Sequence, residues 1–290
     1  MSTPVPAAGP AAGAPAPAAG RQADGDLGGE IRLGSALFTL VEPHRGHEVA
    51  YNRWYERDHF YAGCMIGPWY FAGRRWVCTR DLKDLRLGGD EPLFGDDRLG
   101  SYLALYWTLK GRFRENTDWS TRQVHWLHDH GRMFAERDHI HTLLYIYRGA
   151  HARDADGVPP ELALDHPFPG LGAVIVEPAA GARGDGTAGT DAAAPPRPDL
   201  AGTAVALVLS FKAVPLPPDA PVSQPGTEGA ERRELQLWFA DGAPGGPDGW
   251  WPAVRAYADQ VAASGTGAVR WASPFLPTVP GTDRYTDQLW

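Results

Sequence analysis

The stretch HEVAYNRWYERDHFYAGCMIGPWYFAGRRWVCT, residues 47–79, joins a helical segment to a strand through a stop signal. Residues 47–66 have the length and pattern of a helix, and the Gly-Pro pair that follows ends it. Residues 69–79 are rich in apolar and aromatic side chains, which predicts a strand. The apolar segment GSALFTLVE at 34–42 predicts another strand before the helix. The order from 34 to 79 is therefore β-α-β.

Three further segments complete the unit that this stretch begins. SYLALYWTL (101–109) and TLLYIYRGA (142–150) predict strands. DWSTRQVHWLHDHGRMFAE (118–136) predicts a helix, with Asp118 or Ser120 as its N-cap. The complete order is β-α-β-β-α-β, the ferredoxin-like split motif.

The second half of the chain echoes the first. LVEP at 40–43 matches IVEP at 175–178, and YWTLKG at 106–111 matches LWFADG at 237–242. The offsets of the two pairs are nearly equal, which indicates an internal duplication. The fold class predicted is α+β, with tandem ferredoxin-like repeats.

The remaining elements of the second repeat are less regular. Strands are predicted at 204–214 and 268–276. GWWPAVRAYADQVAASG (249–265) predicts a helix with Asp248 as a candidate N-cap and Gly265 at its end. The low-complexity stretch 178–202 stands where the first helix of this repeat is expected. The second repeat is therefore predicted to lack that helix, so whatever the helix at 47–66 does is done once per chain.

Composition shifts divide the chain into segments. Stretches rich in Ala, Pro and Gly contain too few large apolar groups to pack, and we expect them to be disordered. The predicted organisation is a disordered leader (1–30), a first ferredoxin-like repeat (31–152) and a degenerate second repeat (171–290) with disordered insertions near 179–201 and 215–233.

The totals exclude several classes of function. A formal net charge of −8 argues against non-specific nucleic-acid binding, which needs cationic surface to neutralise phosphates. No apolar run reaches membrane-spanning length, and the leader lacks the basic start and apolar core of a secretory signal. The two cysteines, Cys64 and Cys78, fit a reduced compartment better than a disulfide framework. These features predict a cytoplasmic protein without nucleic-acid or membrane partners.

Residues 54–59 (Trp-Tyr-Glu-Arg-Asp-His), followed by Gly67 and the pair Arg74-Arg75, form a recognisable pattern. It resembles the "W-Y-x-x-x-H … G-(F/W) … R" signature of EthD-like members of the dimeric α/β-barrel superfamily, over roughly residues 34–80. The resemblance implies that two ferredoxin-like units pair their sheets into a barrel, and that a histidine of the first helix faces the barrel pocket. The tandem echo predicts a pseudo-dimeric barrel made by a single chain. The sequence leaves open whether the barrel closes within one chain or in a homodimer.

The same resemblance implies a range of activities. The superfamily includes cofactor-independent oxygenases, cyclases, decarboxylases and dehalogenase-like isomerases, often in polyketide or aromatic metabolism. No phosphate-binding G-x-x-x-x-G-K-[ST], no G-x-G-x-x-G after a strand and no G-x-S-x-G elbow is present. Nucleotide cofactors and serine hydrolysis are therefore disfavoured, and no cofactor is predicted.

The candidate catalytic residues lie on the first predicted helix. His59 follows Tyr55 by four residues and Tyr51 by eight, so the three share one helix face. A histidine in an apolar aromatic pocket could take a proton from an acidic carbon or phenol, while the tyrosines hold the resulting oxyanion. The alternative is a structural histidine bonded to the backbone or to a carboxylate.

The candidate substrate-binding residues follow on the next strands. Arg74 and Arg75 point to opposite faces of their strand, so one of them could bind a carboxylate or an enolate in the pocket. The alternative is an ion pair with a nearby acidic residue. Large rings could shape a site for a flat hydrophobic substrate, and the candidates are Trp54, Trp69, Phe71 and Trp107.

A histidine cluster offers a different hypothesis. His125 and His128 are three residues apart on a predicted helix, and His139 and His141 are expected on one face of a strand. Their spacing matches no metal motif, and no metal site is predicted. The function predicted is a small cofactor-independent enzyme that performs histidine-assisted proton transfer on a hydrophobic aromatic or polyketide-like substrate. The alternative is a hydrophobic-ligand-binding or scaffolding protein of the same fold.

Overall fold

A closed antiparallel sheet forms the centre of the part of the chain that the computed structural model describes, residues 30–89, 91–179, 194–215, 227 and 229–290. The strands are β1 (Leu33–Pro43), β2 (Tyr70–Val77), β3 (Leu87–Gly88), β4 (Tyr102–Leu109), β5 (Arg137–Ala152), β6 (Gly170–Pro178), β7 (Val205–Val214), β8 (Glu234–Ala240) and β9 (Gly267–Pro277). The α-helices are α1 (Glu48–Trp54), α2 (Arg80–Lys83), α3 (Phe113–Asp129) and α4 (Trp251–Ser264). Two π-helical segments, Tyr55–His59 and Tyr61–Met65, extend α1, and short 3-10 helices occur at Pro160–Leu162 and Ala230–Arg232.

The strand order confirms the tandem ferredoxin-like fold. In the first repeat the order is β2-β4-β1-β5, and in the second it is β7-β8-β6-β9. Numbered within each repeat, both orders are second, third, first and fourth strand. The LVEP and IVEP echoes end β1 and β6, the first strand of each repeat. The YWTLKG and LWFADG echoes begin in β4 and β8, the third strands.

The barrel closes within one chain. β5 pairs with β7 along most of its length, and β2 pairs with β9 at Trp76↔Pro277 and Val77↔Leu276. Each junction joins a fourth strand to a second strand, which is the pairing expected of a pseudo-dimer. The inward faces of all eight barrel strands contribute to one apolar core. Its largest members are fully buried: Trp76, Trp107, Trp271, Phe38, Phe168, Phe211, Phe239 and Phe275.

Two outer layers cover the barrel. α4 packs on the second repeat through Trp251, Val254 and Tyr257. The helix that runs through α1 and the π segments packs on the first repeat, together with α3. None of the helices in the described ranges is long and apolar enough to span a membrane.

The predicted bounds of α3 and β5 are wrong. Gly111, with a φ of +81°, turns the chain directly after β4, so α3 begins at Phe113 with Arg112 as its N-cap. Asp118 and Ser120 therefore lie inside the helix, where Ser120 Oγ donates to the Asn116 carbonyl at 2.8 Å. The helix ends before Gly131, which has a positive φ. β5 consequently starts at Arg137, five residues earlier than expected.

The ends of α4 are partly as predicted. Gly265 is the C-cap, with a φ of 67°. Trp250, not Asp248, occupies the N-cap position, so α4 begins two residues later than predicted, with Pro252 in its first turn. Residues 1–29, 180–193 and 216–226, where the leader and most of the insertions are predicted, lie outside the described residues. Residues 194–204, which follow β6 in the described chain, form no helix.

Candidate functional site

A cavity of about 110 Å³ lies between the outer face of the first repeat's sheet and its helices. The sheet contributes side chains from β1, β2, β4 and β5, and the helical layer covers them. The resemblance implied a pocket inside the barrel, but there the large rings of the core fill the space. The lining residues are Leu37, Thr39, Tyr55, His59, Gly63, Cys64, Tyr70, Tyr106, Thr117, Ser120, Thr121, Val124, Met133, Arg137, His139, Thr142 and Leu144.

The π-helical segments place His59 over the cavity. π-Helical turns are rare and occur frequently at functional sites. The rings of Tyr51 and Tyr55 lie 5.7 Å apart, and those of Tyr55 and His59 lie 5.2 Å apart, so the three follow one another along the helix. The imidazole of His59 stacks on Trp54 with ring centroids 4.5 Å apart. Gly63 lies beneath the ring, and a Cβ there would be 3.1 Å from His59 Cε1.

His59 and His139 bring two imidazoles to the same cavity. Burial, reinforced by the positive charge of Arg137, lowers the pKa of His59 to about 3 and that of His139 to about 4. Both rings are therefore neutral near pH 7. His139 Nδ1 lies 3.1 Å from Thr142 Oγ1. His59 Nδ1 and His139 Nε2 are buried, and neither has a hydrogen-bond partner among the described residues.

Arg137 supplies a cation to the cavity wall. Its guanidinium lies over the Trp54 ring, 4.9 Å from the centroid. Burial lowers the pKa of Arg137, although the group remains charged at neutral pH. The cavity thus combines two neutral imidazoles with one positive charge.

Hydroxyl groups also line the cavity. The hydroxyls of Tyr55 and Tyr106 are 3.0 Å apart, and Tyr70 Oη lies 3.0 Å from Ser120 Oγ. Burial raises the pKa values of all three tyrosines well above their usual range. Burial also raises the pKa of the Cys64 thiol to about 12, so it is not a thiolate nucleophile at neutral pH. These groups act as neutral hydrogen-bond donors and acceptors.

The two predicted arginines lie outside the cavity lining. Arg74 contacts three backbone carbonyls, of Leu164, His166 and Phe168, and its guanidinium lies over the Trp76 ring. Arg75 is buried; it donates to Asn52 Oδ1 at 2.9 Å, and its guanidinium lies 4.6 Å from the centroid of the Tyr55 ring. Arg75 therefore supports a residue that does line the cavity.

The predicted aromatic residues are dispersed. Trp54 backs His59 and donates from Nε1 to the Arg132 carbonyl at 2.9 Å. Trp69 lies under the guanidinium of Arg112. Phe71 packs against the barrel core, and Trp107 lies inside that core. Tyr51 is buried beside Tyr55 and does not line the cavity.

A β-bulge in β5 separates His139 from His141. His141 pairs with Leu40 whereas His139 pairs with Val41, so Ile140 is an extra residue in β5. His139 consequently faces the cavity, while His141 faces the barrel interior and contacts Phe38 and Phe94. The expectation that the two histidines share a strand face is wrong for this reason. His125 and His128 are exposed on α3, and no group of three or more metal-ligating side chains occurs in the described residues.

Sequence reasoning missed Arg137 and the hydroxyl-bearing residues of α3. The placement of the second helix at 118–136 put Arg137 in the loop before the last strand of the repeat. A helix placed between Gly111 and Gly131, two glycines that can turn the chain, would have left Arg137 to the last strand of the repeat. Ser120 and Thr121 then fall on the helix face above the sheet.

No family model and no curated protein matches this chain. Solved structures similar to it include a chlorite dismutase candidate, at 10% identity and a TM-score of 0.45 over 89% of this chain and 100% of the other. A monooxygenase candidate from Fusobacterium nucleatum subsp. nucleatum has 7% identity and a TM-score of 0.44, over 86% of this chain and 94% of the other. The encapsulated DyP-type peroxidase from Mycobacterium smegmatis has 11% identity and a TM-score of 0.41, over 90% of this chain and 96% of the other.

Proposed function

We propose that the chain is an EthD-like enzyme in which His59 takes a proton from a small hydrophobic, aromatic or polyketide-like substrate held in the cavity. The observation that carries the proposal is the buried, unpartnered Nδ1 of His59 in a mostly apolar cavity that also contains Arg137. Buried polar atoms of native proteins are almost always paired, so a ligand group is the expected partner. The proposal assigns no role to a cofactor.

The proton-transfer step follows from the electrostatics of the cavity. A neutral imidazole has one nitrogen lone pair, which can accept a proton from an acidic C–H or O–H group of the substrate. The electron pair of the broken bond stays on the substrate as an enolate or phenolate. Arg137 and the hydroxyls of Tyr55 and Tyr106 can stabilise that anion.

The low pKa of His59 is compatible with this role once substrate is bound. The positive charge of Arg137 is the second-largest cause of the shift, after burial. A substrate anion beside Arg137 would offset that charge and so stabilise the imidazolium. Tyr51 and Arg75, which contact Tyr55, would position the Tyr55 ring without touching substrate. Cyclisation, isomerisation, decarboxylation or oxygenation could each follow from the same first step.

The alternative function is binding of a hydrophobic ligand without chemistry. The observation that favours it is the same pKa of about 3, because a group of such low basicity is a weak proton acceptor in the empty site. The two functions differ in whether a bound carbon acid loses its proton.

Exchange of a carbon-bound proton in D₂O tests the proposal directly. The probe is phenylacetone, a single-ring ketone with acidic C–H groups and slow spontaneous exchange, monitored by NMR. We expect the wild-type protein to accelerate exchange and His59→Gln to lose about 100-fold of that acceleration. His125→Gln, which replaces an exposed histidine of α3, is the matched control and should retain it. Equal rates in the wild type and a folded His59→Gln protein would exclude His59 as the base.

A further inference from the structure

The Arg137 guanidinium lies in the cavity where the proposed function places the substrate, and only this location rests on that function. Arg137 lines the cavity, but no carboxylate of the described residues lies within ion-pair distance of it. Its guanidinium lies over the face of Trp54. A partly buried cation without a counter-charge is costly unless a ligand neutralises it.

The acidic residues around Arg137 are engaged elsewhere. Glu136 and Asp138, its neighbours along the chain, both contact the His44 imidazole, at 3.1 and 3.3 Å. Asp58, beside His59 in sequence, forms an ion pair with Arg132. Along β5, the alternation of side chains directs Asp138 away from the face that carries Arg137. None of these three carboxylates therefore neutralises Arg137.

The imidazoles add a second requirement to the ligand. The neutral rings of His59 and His139 each have one unpartnered buried nitrogen in the cavity. If His139 Nδ1–H donates to Thr142, its Nε2 presents a lone pair, which accepts a hydrogen bond and donates none. The cavity is thus suited to a ligand with an anionic end and a hydroxyl or acidic C–H.

The size of the cavity limits the apolar part of the ligand. An apolar cavity of about 150 Å³ holds one benzene ring. The present cavity, at about 110 Å³, has room for one ring at most, and a larger substrate would extend through its mouth. The imidazole of His59, held flat against Trp54 behind it, provides a planar part of the wall.

We propose that Arg137 is the specificity-determining residue of this site, and that it selects small single-ring aromatic anions, carboxylates or phenolates, over their neutral analogues. The anionic oxygens accept hydrogen bonds from the guanidinium while the ring occupies the apolar part of the cavity.

Paired probes of equal size test this selection. Calorimetric titration at pH 7 compares benzoate with benzamide, which has nearly the same shape and no charge. The variants are Arg137→Met, which removes the charge, and Arg137→Lys, which retains it. Arg148→Met, at an exposed arginine of the same strand, is the matched control. Melting temperatures establish that each variant is folded, and Arg137→Lys provides the test if Arg137→Met is not.

We expect the wild type and Arg148→Met to bind benzoate at least tenfold more tightly than benzamide, and Arg137→Met to lose about 10- to 100-fold in benzoate affinity with little change for benzamide. Arg137→Lys should keep part of the preference. Equal affinities in the wild type, a preference that survives Arg137→Met, or no binding of either probe would overturn the proposal. Benzoate selection without phenylacetone exchange would refute His59 as a base and leave Arg137 as the anion site. Phenylacetone exchange without benzoate selection would refute Arg137 as the anion site and leave His59 as the base.

Discussion

Three histidines of this fold are buried in their neutral form. The pKa values of His59 and His141 fall to about 3 and that of His139 to about 4, with burial as the largest cause for each. An unfolded histidine has a pKa near 6.5. Between these values the unfolded chain binds more protons than the folded one, so the free energy of unfolding falls as the pH falls. The stabilisation linked to the neutral state of these three histidines is fully present above about pH 6.5.

The first prediction belongs to these residues. Between pH 5 and 6 each buried histidine should add a positive slope to the free energy of unfolding, up to the one-proton limit of about 1.4 kcal/mol per pH unit. His59→Gln should remove one such contribution, and His125→Gln serves as the exposed control. Urea unfolding at several pH values measures the slopes. The same slope in wild type and His59→Gln would mean that His59 is already charged in the folded protein.

At the scale of elements, the helix over the cavity combines an ordinary prediction with an unexpected local structure. Its range was predicted from length, apolar pattern and the Gly67-Pro68 stop, and Tyr51, Tyr55 and His59 lie along it as the spacing indicated. The π-helical segments were not predictable from that pattern, because a period of four residues fits an α-helix and a π-helix almost equally well. Only the packed structure reveals Gly63 beneath the imidazole.

The same limit applies to β5. Strict alternation put His139 and His141 on one face, and a single inserted residue, Ile140, reversed that assignment. Bulges depend on contacts with the neighbouring strand, which a single sequence does not display. Arg137 was missed for a related reason, since the end of α3 and the start of β5 depend on the turn at Gly131. Strands and repeats were thus predictable, whereas the cavity depended on local irregularities.

A prediction follows for Gly63, which lies within the second π-helical segment. In Gly63→Ala the new Cβ would be 3.1 Å from His59 Cε1, so the ring must move by a few tenths of an ångström. The fold should persist, because alanine is a better helix former than glycine. Phenylacetone exchange should fall by about tenfold through misplacement of the ring. Gly149→Ala, where a Cβ meets nothing within 4 Å, is the control. Unchanged exchange in Gly63→Ala would show that the position of His59 is not critical.

For the whole molecule, closure of the barrel makes the two repeats depend on one another. The echoes at 40–43 and 175–178 indicated a duplication, and the structure shows how both copies share one core. The junctions use the second and fourth strands of each repeat, so neither repeat keeps a free barrel edge in the described chain. A homodimer is therefore not needed to complete the sheet.

Phe239 provides a test of this mutual dependence. It is fully buried in the second repeat and contacts Trp76 of the first, with ring centroids 6.2 Å apart. Phe239→Ala should lower the free energy of unfolding by about 3–5 kcal/mol. Hydrogen exchange read by mass spectrometry should show an equal loss of protection in β1 and β8, because global opening exposes both together. Leu162→Ala, at a half-exposed leucine, should change neither the free energy of unfolding nor the protection of these strands. A loss confined to the second repeat would mean that the repeats open separately, and the cavity of the first would then persist without the barrel.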